Sequence, residues 1–253
     1  MNNGLIILDF DGTLCDTKNT IVKTLQMTME KLCLPVADEY ACAATIGLPL
    51  SESFKTMFPS LTEGQAQECA EAYRDIFEEN KKLLAPKVFP NVPETLAELR
   101  RRGFVLTIAS SRSNHSLMDF VMTFGFDKEI SLVLGADDVT KAKPDPEPVL
   151  LTLKKLGFSA SRTLVVGDMP FDILMGRGAG ARTCGVTYGN STREELQGSG
   201  ADYVIEQLAV LDSLDDNSPK KVELTKQERI ELPPQRELSE LEKKNERLIG
   251  GRK

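Results

Sequence analysis

Short, unbroken apolar runs recur along the chain, and between them apolar residues return every three or four positions. The runs fall at residues 5–8, 104–109, 131–134, 163–166, 182–186 and 203–205. None shows the polar alternation of a strand with one wet face, so each reads as a strand buried on both sides. The intervening periodic segments, 93–101, 116–124, 147–156 and 171–178, read as helices that close at Gly103, at Gly125, at Gly157 and near Gly180. Strand and helix in regular succession predict an α/β fold, a doubly wound parallel sheet with Rossmann-like connections and helices over both faces. Ligands in such sheets bind outside the carboxyl ends of the strands, so the residues that follow each run are the ones to inspect.

One region breaks this rhythm. From Asp16 to about Phe89 no strand pattern is found, but Ile21, Leu25, Met29 and Leu32 share a helical face, and Thr62 with Gln65 forms a capping box before a second helical pattern through Ala66, Cys69, Ala70, Tyr73 and Phe77. An all-helical insert therefore interrupts the core after its first strand. The two crossings, at Asp16–Thr17 and at residues 87–90, are expected to pair as a two-stranded linker that can act as a hinge. At the other end, residues 215–253 are dense in charge of both signs and carry Pro233–Pro234. That segment reads as a solvated extension, in which Leu238, Leu241, Asn245 and Leu248 could form a short helix for a partner. No internal repeat is found.

The chain has 253 residues, enough to bury a full core, and a formal net charge of −7, which disfavours a nucleic-acid polymer or an anionic membrane surface as partner. Its apolar runs are too short to span a bilayer and no secretory leader is evident, so a cytoplasmic protein, monomer or homodimer, is expected. The five cysteines lack metal or redox spacing and read as reduced packing residues. With His115 the single histidine, a histidine cluster or a Ser-His-Asp triad is nearly excluded.

Composition leaves carboxylate chemistry, and the first run delivers it. Asp9 and Asp11 lie two residues apart, which in an extended chain directs both side chains to one side, and Gly12 lets the backbone turn beyond them. Two such carboxylates stay ionised together only beside a cation, and an all-oxygen site suits Mg²⁺. The alternative is an Asp-Gly turn with no chemistry. The other strand ends add Ser110–Ser111–Arg112–Ser113, Lys143 before Pro144, and Gly167–Asp168 followed by Met169, Pro170, Phe171 and Asp172. Singly these are a helix cap, a solvated lysine and a turn. On one sheet edge they bring a hydroxyl, a cation and two more carboxylates toward Asp9.

In order and spacing, Asp9–Phe10–Asp11–Gly12–Thr13, Ser110, Lys143–Pro144 and the Gly167–Asp172 segment resemble the four motifs of the haloacid dehalogenase superfamily. The insert resembles its C1 helical cap, and the loop around Gly47 resembles the cap loop of the phosphoglycolate phosphatase-like branch. The resemblance covers about residues 4 to 214. It implies a core of residues 1–16 and 88–214, a cap of 17–87 and an extension of 215–253. It implies a Mg²⁺-dependent phosphatase acting on a small phosphorylated substrate, such as a phosphoglycolate-like ester, a nucleotide or a sugar phosphate, through an aspartyl-phosphate.

In that reading Asp9 is the nucleophile, Asp11 the general acid and base, and Ser110 and Lys143 the partners of the phosphoryl oxygens. Asp9, Asp11, Asp168 and Asp172 form the metal site, and Phe10, Gly12, Thr13, Ser111, Arg112 and Gly47 surround the substrate. An acid at position 11 argues against a dehalogenase, whose halide needs no proton, and Gly167 before Asp168 favours a phosphatase over a β-phosphoglucomutase-like mutase. The mutase, a pyrophosphatase and a non-catalytic binding module that uses the extension remain as rivals.

Overall fold

The computed structural model describes residues 4–213, so the extension expected over 215–253 lies outside the described residues. In chain order the elements are β1 (Gly4–Leu8), β2 (Cys15–Asp16), α1 (Lys18–Lys31), α2 (Glu39–Ala43), α3 (Leu50–Met57), α4 (Glu63–Leu83), β3 (Lys87–Val88), α5 (Val92–Arg101), β4 (Phe104–Ala109), α6 (Asn114–Thr123), β5 (Ile130–Leu134), α7 (Glu147–Leu156), β6 (Thr163–Gly167), α8 (Pro170–Gly178), β7 (Arg182–Val186), α9 (Arg193–Gly198) and β8 (Tyr203–Ile205). Six of the strands form one parallel sheet in the order β5-β4-β1-β6-β7-β8, with helices on both sides. The α/β expectation holds, and the six apolar runs are these six strands.

β1 shows why its run is unbroken. Leu5 and Ile7 pack with Val149 and Leu153 of α7 and Met175 of α8, while Ile6 and Leu8, on the alternate positions, are equally buried. Phe10 continues the second set and meets Phe120 of α6, ring centroids 5.4 Å apart. A strand covered on both faces has no polar position to offer until it leaves the sheet. β1 lies between β4 and β6, and the chain runs first to one side and later to the other, so the crevice at its carboxyl end is the switch point of the sheet.

The helices α1 to α4 lie between β2 and β3, which pair antiparallel with Cys15 opposite Val88 and Asp16 opposite Lys87. The first strand of this linker sits one residue earlier than the sequence pattern suggested, and the second begins at the expected Lys87 but ends at Val88, two residues early. α1 and α4 pack lengthwise on Ile21, Leu25, Met29, Tyr73 and Phe77, and buried Asn80 ties them by donating to Thr24 Oγ1 at 3.0 Å. The Thr62–Gln65 capping box is formed in full. α2, α3 and α9 were not anticipated. Asn91 adopts the left-handed conformation, φ 63°, at the start of α5. Four of the five cysteines are buried and all five are free, but Cys33 is exposed, so the packing reading fails there. Among the described residues no helix is long and apolar enough to cross a membrane.

Candidate active site

Four segments that end or follow strands meet at the switch point. Asp9 follows β1, Ser110 follows β4, Lys143 precedes α7, and Asp168 and Asp172 flank the start of α8. All five side chains are buried. Lys143 Nζ lies 2.6 Å from Asp9 Oδ1 and 2.6 Å from Asp172 Oδ1. Asp168 accepts from Thr13 Oγ1 at 3.2 Å and, on its other oxygen, from the backbone N–H and side-chain amide of Asn190, each at 2.8 Å.

The charges do not balance. Asp9, Asp168 and Asp172 offer carboxylate oxygens all within 4.8 Å of one another, against the one ammonium of Lys143. Burial, then Asp172 and Asp168, hold Asp9 well above the usual carboxylate range, although Lys143 pulls the other way. Burial and then Asp172 push Asp168 up to about 7. Burial would lower Lys143, but Asp172 and Asp9 outweigh it and keep the ammonium charged. Fully ionised, the group carries two unbalanced negative charges, so the residues fit a divalent cation with oxygen ligands.

Asp11 does not join that cluster. Arg112 Nε reaches both its oxygens, at 2.9 and 2.8 Å, and Thr17 Oγ1 donates to Oδ1 at 2.7 Å. Asp11, also expected in the metal site, is thus not gathered with those three carboxylates: its side chain faces a fixed cation on the side of the insert. The guanidinium of Arg112 lies over Phe77 of α4, 4.6 Å from the ring centroid, and over Phe120 of α6 at 5.2 Å, and it donates to Ser116 Oγ at 3.2 Å. Arg112 was expected to face a phosphate, but its charge is directed at Asp11 instead, because the start of α6 carries it over the end of β1.

The other residues expected around the substrate surround the crevice with their polar groups already engaged. The Phe10 side chain is in the core, Gly12 N–H bonds Cys15 O at 2.8 Å, and the Thr13 hydroxyl serves Asp168. The Ser111 hydroxyl donates to Gly47 O. Ser110 Oγ accepts from Arg112 N at 3.4 Å. Gly12 is required twice over: its φ is +84°, and a Cβ there would collide with the Asp168 carboxylate and the Asn190 amide. Gly47, φ +96°, brings the loop before α3 against Phe171 and Met169, where a Cβ would stand 3.4 Å from the Phe171 ring.

Asn190 is a site residue that the motif pattern did not yield. Its signal was present, since it follows β7 at the same sheet edge as the other site residues. Tyr188 belongs with it, donating from its hydroxyl to Thr13 O at 2.8 Å.

With this geometry in view, comparison with known proteins places the chain. The sequence model of the haloacid dehalogenase-like hydrolases matches residues 6–186, and the chain belongs to that family. A protein of Dickeya dadantii strain 3937 named "Probable phosphatase IndB" is 37% identical over 207 residues, covering 81% of this chain and 90% of that one. The pyrophosphatase PpaX of Oceanobacillus iheyensis is 33% identical over 205 residues, covering 80% and 92%. Among solved structures, a hydrolase from Pseudomonas syringae superposes with a TM-score of 0.75 at 26% identity, covering 83% of this chain and 97% of that one.

Proposed function

We propose that the protein is a Mg²⁺-dependent phosphatase that hydrolyses a small phosphomonoester through a phosphorylated Asp9. The observation that carries this reading is the meeting of Asp9, Asp168 and Asp172 around Lys143, a site with two negative charges more than its residues balance. Asp9, Asp168 and Asp172 would hold the Mg²⁺, whose contribution is to neutralise the phosphoryl oxygens so that an anionic nucleophile can approach.

Asp9 attacks phosphorus in line. Its Oδ–P bond forms as the bond to the leaving oxygen breaks, while Lys143 and Ser110 hold the phosphoryl oxygens. Asp11 gives a proton to the departing alkoxide. Water then attacks the phosphorus of the aspartyl-phosphate and loses its proton to Asp11, and the Asp9–phosphate bond breaks to release inorganic phosphate. Residues 1–16 and 88–214 act as the core and 17–87 as a cap hinged on β2 and β3, which closes over the crevice and excludes water other than the attacking one. The family match and the phosphatases among the relatives support the reaction class, and the five unpaired cysteines accord with a cytoplasmic location.

The test separates the two aspartates. Asp11→Asn keeps the nucleophile but can neither donate nor accept the proton, so 4-nitrophenyl phosphate, whose leaving group hardly needs one, should still phosphorylate Asp9. The adduct should accumulate and appear in intact-mass spectra as one added phosphoryl group that maps to Asp9. Asp9→Asn should give no adduct and lose turnover by on the order of 10⁴-fold or more. Label on Ser110, or turnover retained by Asp9→Asn, would refute the assignment.

A further inference from the structure

Beside Asp11, on the side away from the carboxylate cluster, a cavity of about 570 Å³ opens between α1, α4, the Gly47 loop and the start of α6. It is lined by apolar side chains of the insert, among them Ile21, Leu25, Ile46, Leu48 and Tyr73. Its position makes it the space for whatever leaves phosphorus. Its volume falls within the roughly 300–1,000 Å³ of sites that hold drug-sized ligands, far beyond the need of a two-carbon acid or a second phosphate.

Among the described residues, the charges along this wall are Arg74 and Arg112 against Asp11, Asp75, Glu78 and Asp137, with His115, formally neutral at pH 7, beside them. Arg112 is spent, since both oxygens of Asp11 hold its Nε and the rings of Phe77 and Phe120 cover its faces. Glu78 pairs with Lys81 at 2.6 Å, but Lys81 also serves Asp119, so that group stays negative as a whole. Among the described residues this leaves Arg74 as the one lysine or arginine at the rim of the cavity without such a partner, beside His115 and among three carboxylates. The transferring phosphoryl group has Lys143 and the carboxylate cluster's cation for its own charge. A second anion on the leaving group would have, among the described residues, Arg74 and the formally neutral His115, and like charges facing it.

We infer that the substrate is the phosphate ester of an uncharged, hydroxylated alcohol of about sugar size or larger, and that esters and anhydrides with an anionic leaving group are discriminated against. This rests on the phosphatase reading above and narrows it. The apolar wall takes the carbon skeleton, and the hydroxyls meet Thr45, Ser51 and Ser116, which line the same space. Selection of this kind works by repulsion as much as by attraction: an anion is refused because the wall is already negative.

The matched pair for the test is 2-phosphoglycolate and 2-hydroxyethyl phosphate, equal in size and differing in the charge of the leaving group. With the full-length protein and Mg²⁺, kcat/KM for 2-hydroxyethyl phosphate should exceed that for 2-phosphoglycolate and for pyrophosphate by about tenfold or more. Ribose 5-phosphate should exceed all three. Asp75→Asn combined with Glu78→Gln, both exposed side chains, should bring the charged and uncharged members of the pair toward parity.

Equal or better turnover of 2-phosphoglycolate or pyrophosphate overturns the inference. A ribose 5-phosphate value no higher than that of 2-hydroxyethyl phosphate overturns its size component, and an unchanged ratio in the double variant overturns its electrostatic cause. 4-Nitrophenyl phosphate distinguishes the levels. If it too is left intact, the phosphatase reading falls and takes this inference with it, whereas its hydrolysis alongside a preference for 2-phosphoglycolate sinks the inference alone.

Discussion

Asp9 and Asp11 are separated by one residue, yet they face opposite electrostatic surroundings. Asp9 shares Lys143 with Asp172 and sits beside Asp168, whereas Asp11 is held by Arg112 and Thr17. If Asp11 is the proton donor proposed above, its ion pair with Arg112 would fix where the proton is delivered, and Arg112 would act as a positioning residue and not as a phosphate ligand. Arg112→Met should therefore lower kcat for an alkyl ester such as ribose 5-phosphate by about 10- to 100-fold, part of the 10²–10⁴ that acid–base catalysis supplies, with KM little changed. Hydrolysis of 4-nitrophenyl phosphate should suffer less, and Arg112→Lys should recover part of the loss. A rise in KM shared equally by both substrates would instead mark Arg112 as a direct contact to the transferring phosphate.

At the scale of elements, the insert meets the loops of the site through Thr17 on Asp11, through Phe77 under Arg112 and through the short segment at Gly47. Gly47 O takes the Ser111 hydroxyl, and the Gly47 backbone, in a conformation open to glycine, rests on Met169 and Phe171. Gly47→Val would impose left-handed strain of about 1–2 kcal/mol and crowd the Phe171 ring. It should lower Tm by about 2–8 °C, given roughly 2–4 °C per kcal/mol for a domain of this size, and reduce turnover of sugar-sized esters more than that of 4-nitrophenyl phosphate. A normal Tm with equal loss on both substrates would count against the loop as part of the leaving-group site.

What the sequence revealed of these elements follows from how they are buried. The six strands were legible to within a residue because, as in β1, both faces are covered and no polar position interrupts the run. Asp9, Asp168 and Asp172 were legible because each sits at a strand end or helix start on one sheet edge, and Lys143 because it stands before Pro144 in the loop that follows β5 at that edge. α2 spans only Glu39–Ala43 and α3 only Leu50–Met57, too short to establish a helical period, and they were missed. The contact of Arg112 with Asp11 crosses 101 residues of sequence and depends on where α6 docks, so no local pattern could announce it. Asn190 was hidden differently, after a strand end that carried no charged residue.

For the whole molecule, gathering three carboxylates in a buried crevice couples the stability of the fold to pH and, with the proposed Mg²⁺, would couple it to metal. Burial first, and neighbouring carboxylates next, raise Asp9 well above its usual value and Asp168 to about 7, against an ordinary value of 3.8. A carboxyl with its folded pKa above its unfolded one binds its proton more tightly in the fold. Its contribution to stability is then complete below about pH 4 and is lost as pH rises through about 7. Mg²⁺ held there, as proposed above, would compete with those protons and bind the ionised form, so its effect on stability would have the opposite trend. In EDTA, Tm should fall between pH 5 and pH 8. Added Mg²⁺ should restore it at pH 8, by about 2.7 kcal/mol or 5–11 °C when free metal is about 100 times its Kd, and should do much less at pH 5. Asp168→Asn should flatten the pH trend and abolish most of the metal shift, because it removes both a raised carboxyl and a ligand. Scanning calorimetry at the two pH values, with and without metal, measures all four states, and a Mg²⁺ shift as large at pH 5 as at pH 8 would mean that the ion binds somewhere other than the carboxylates around Asp9.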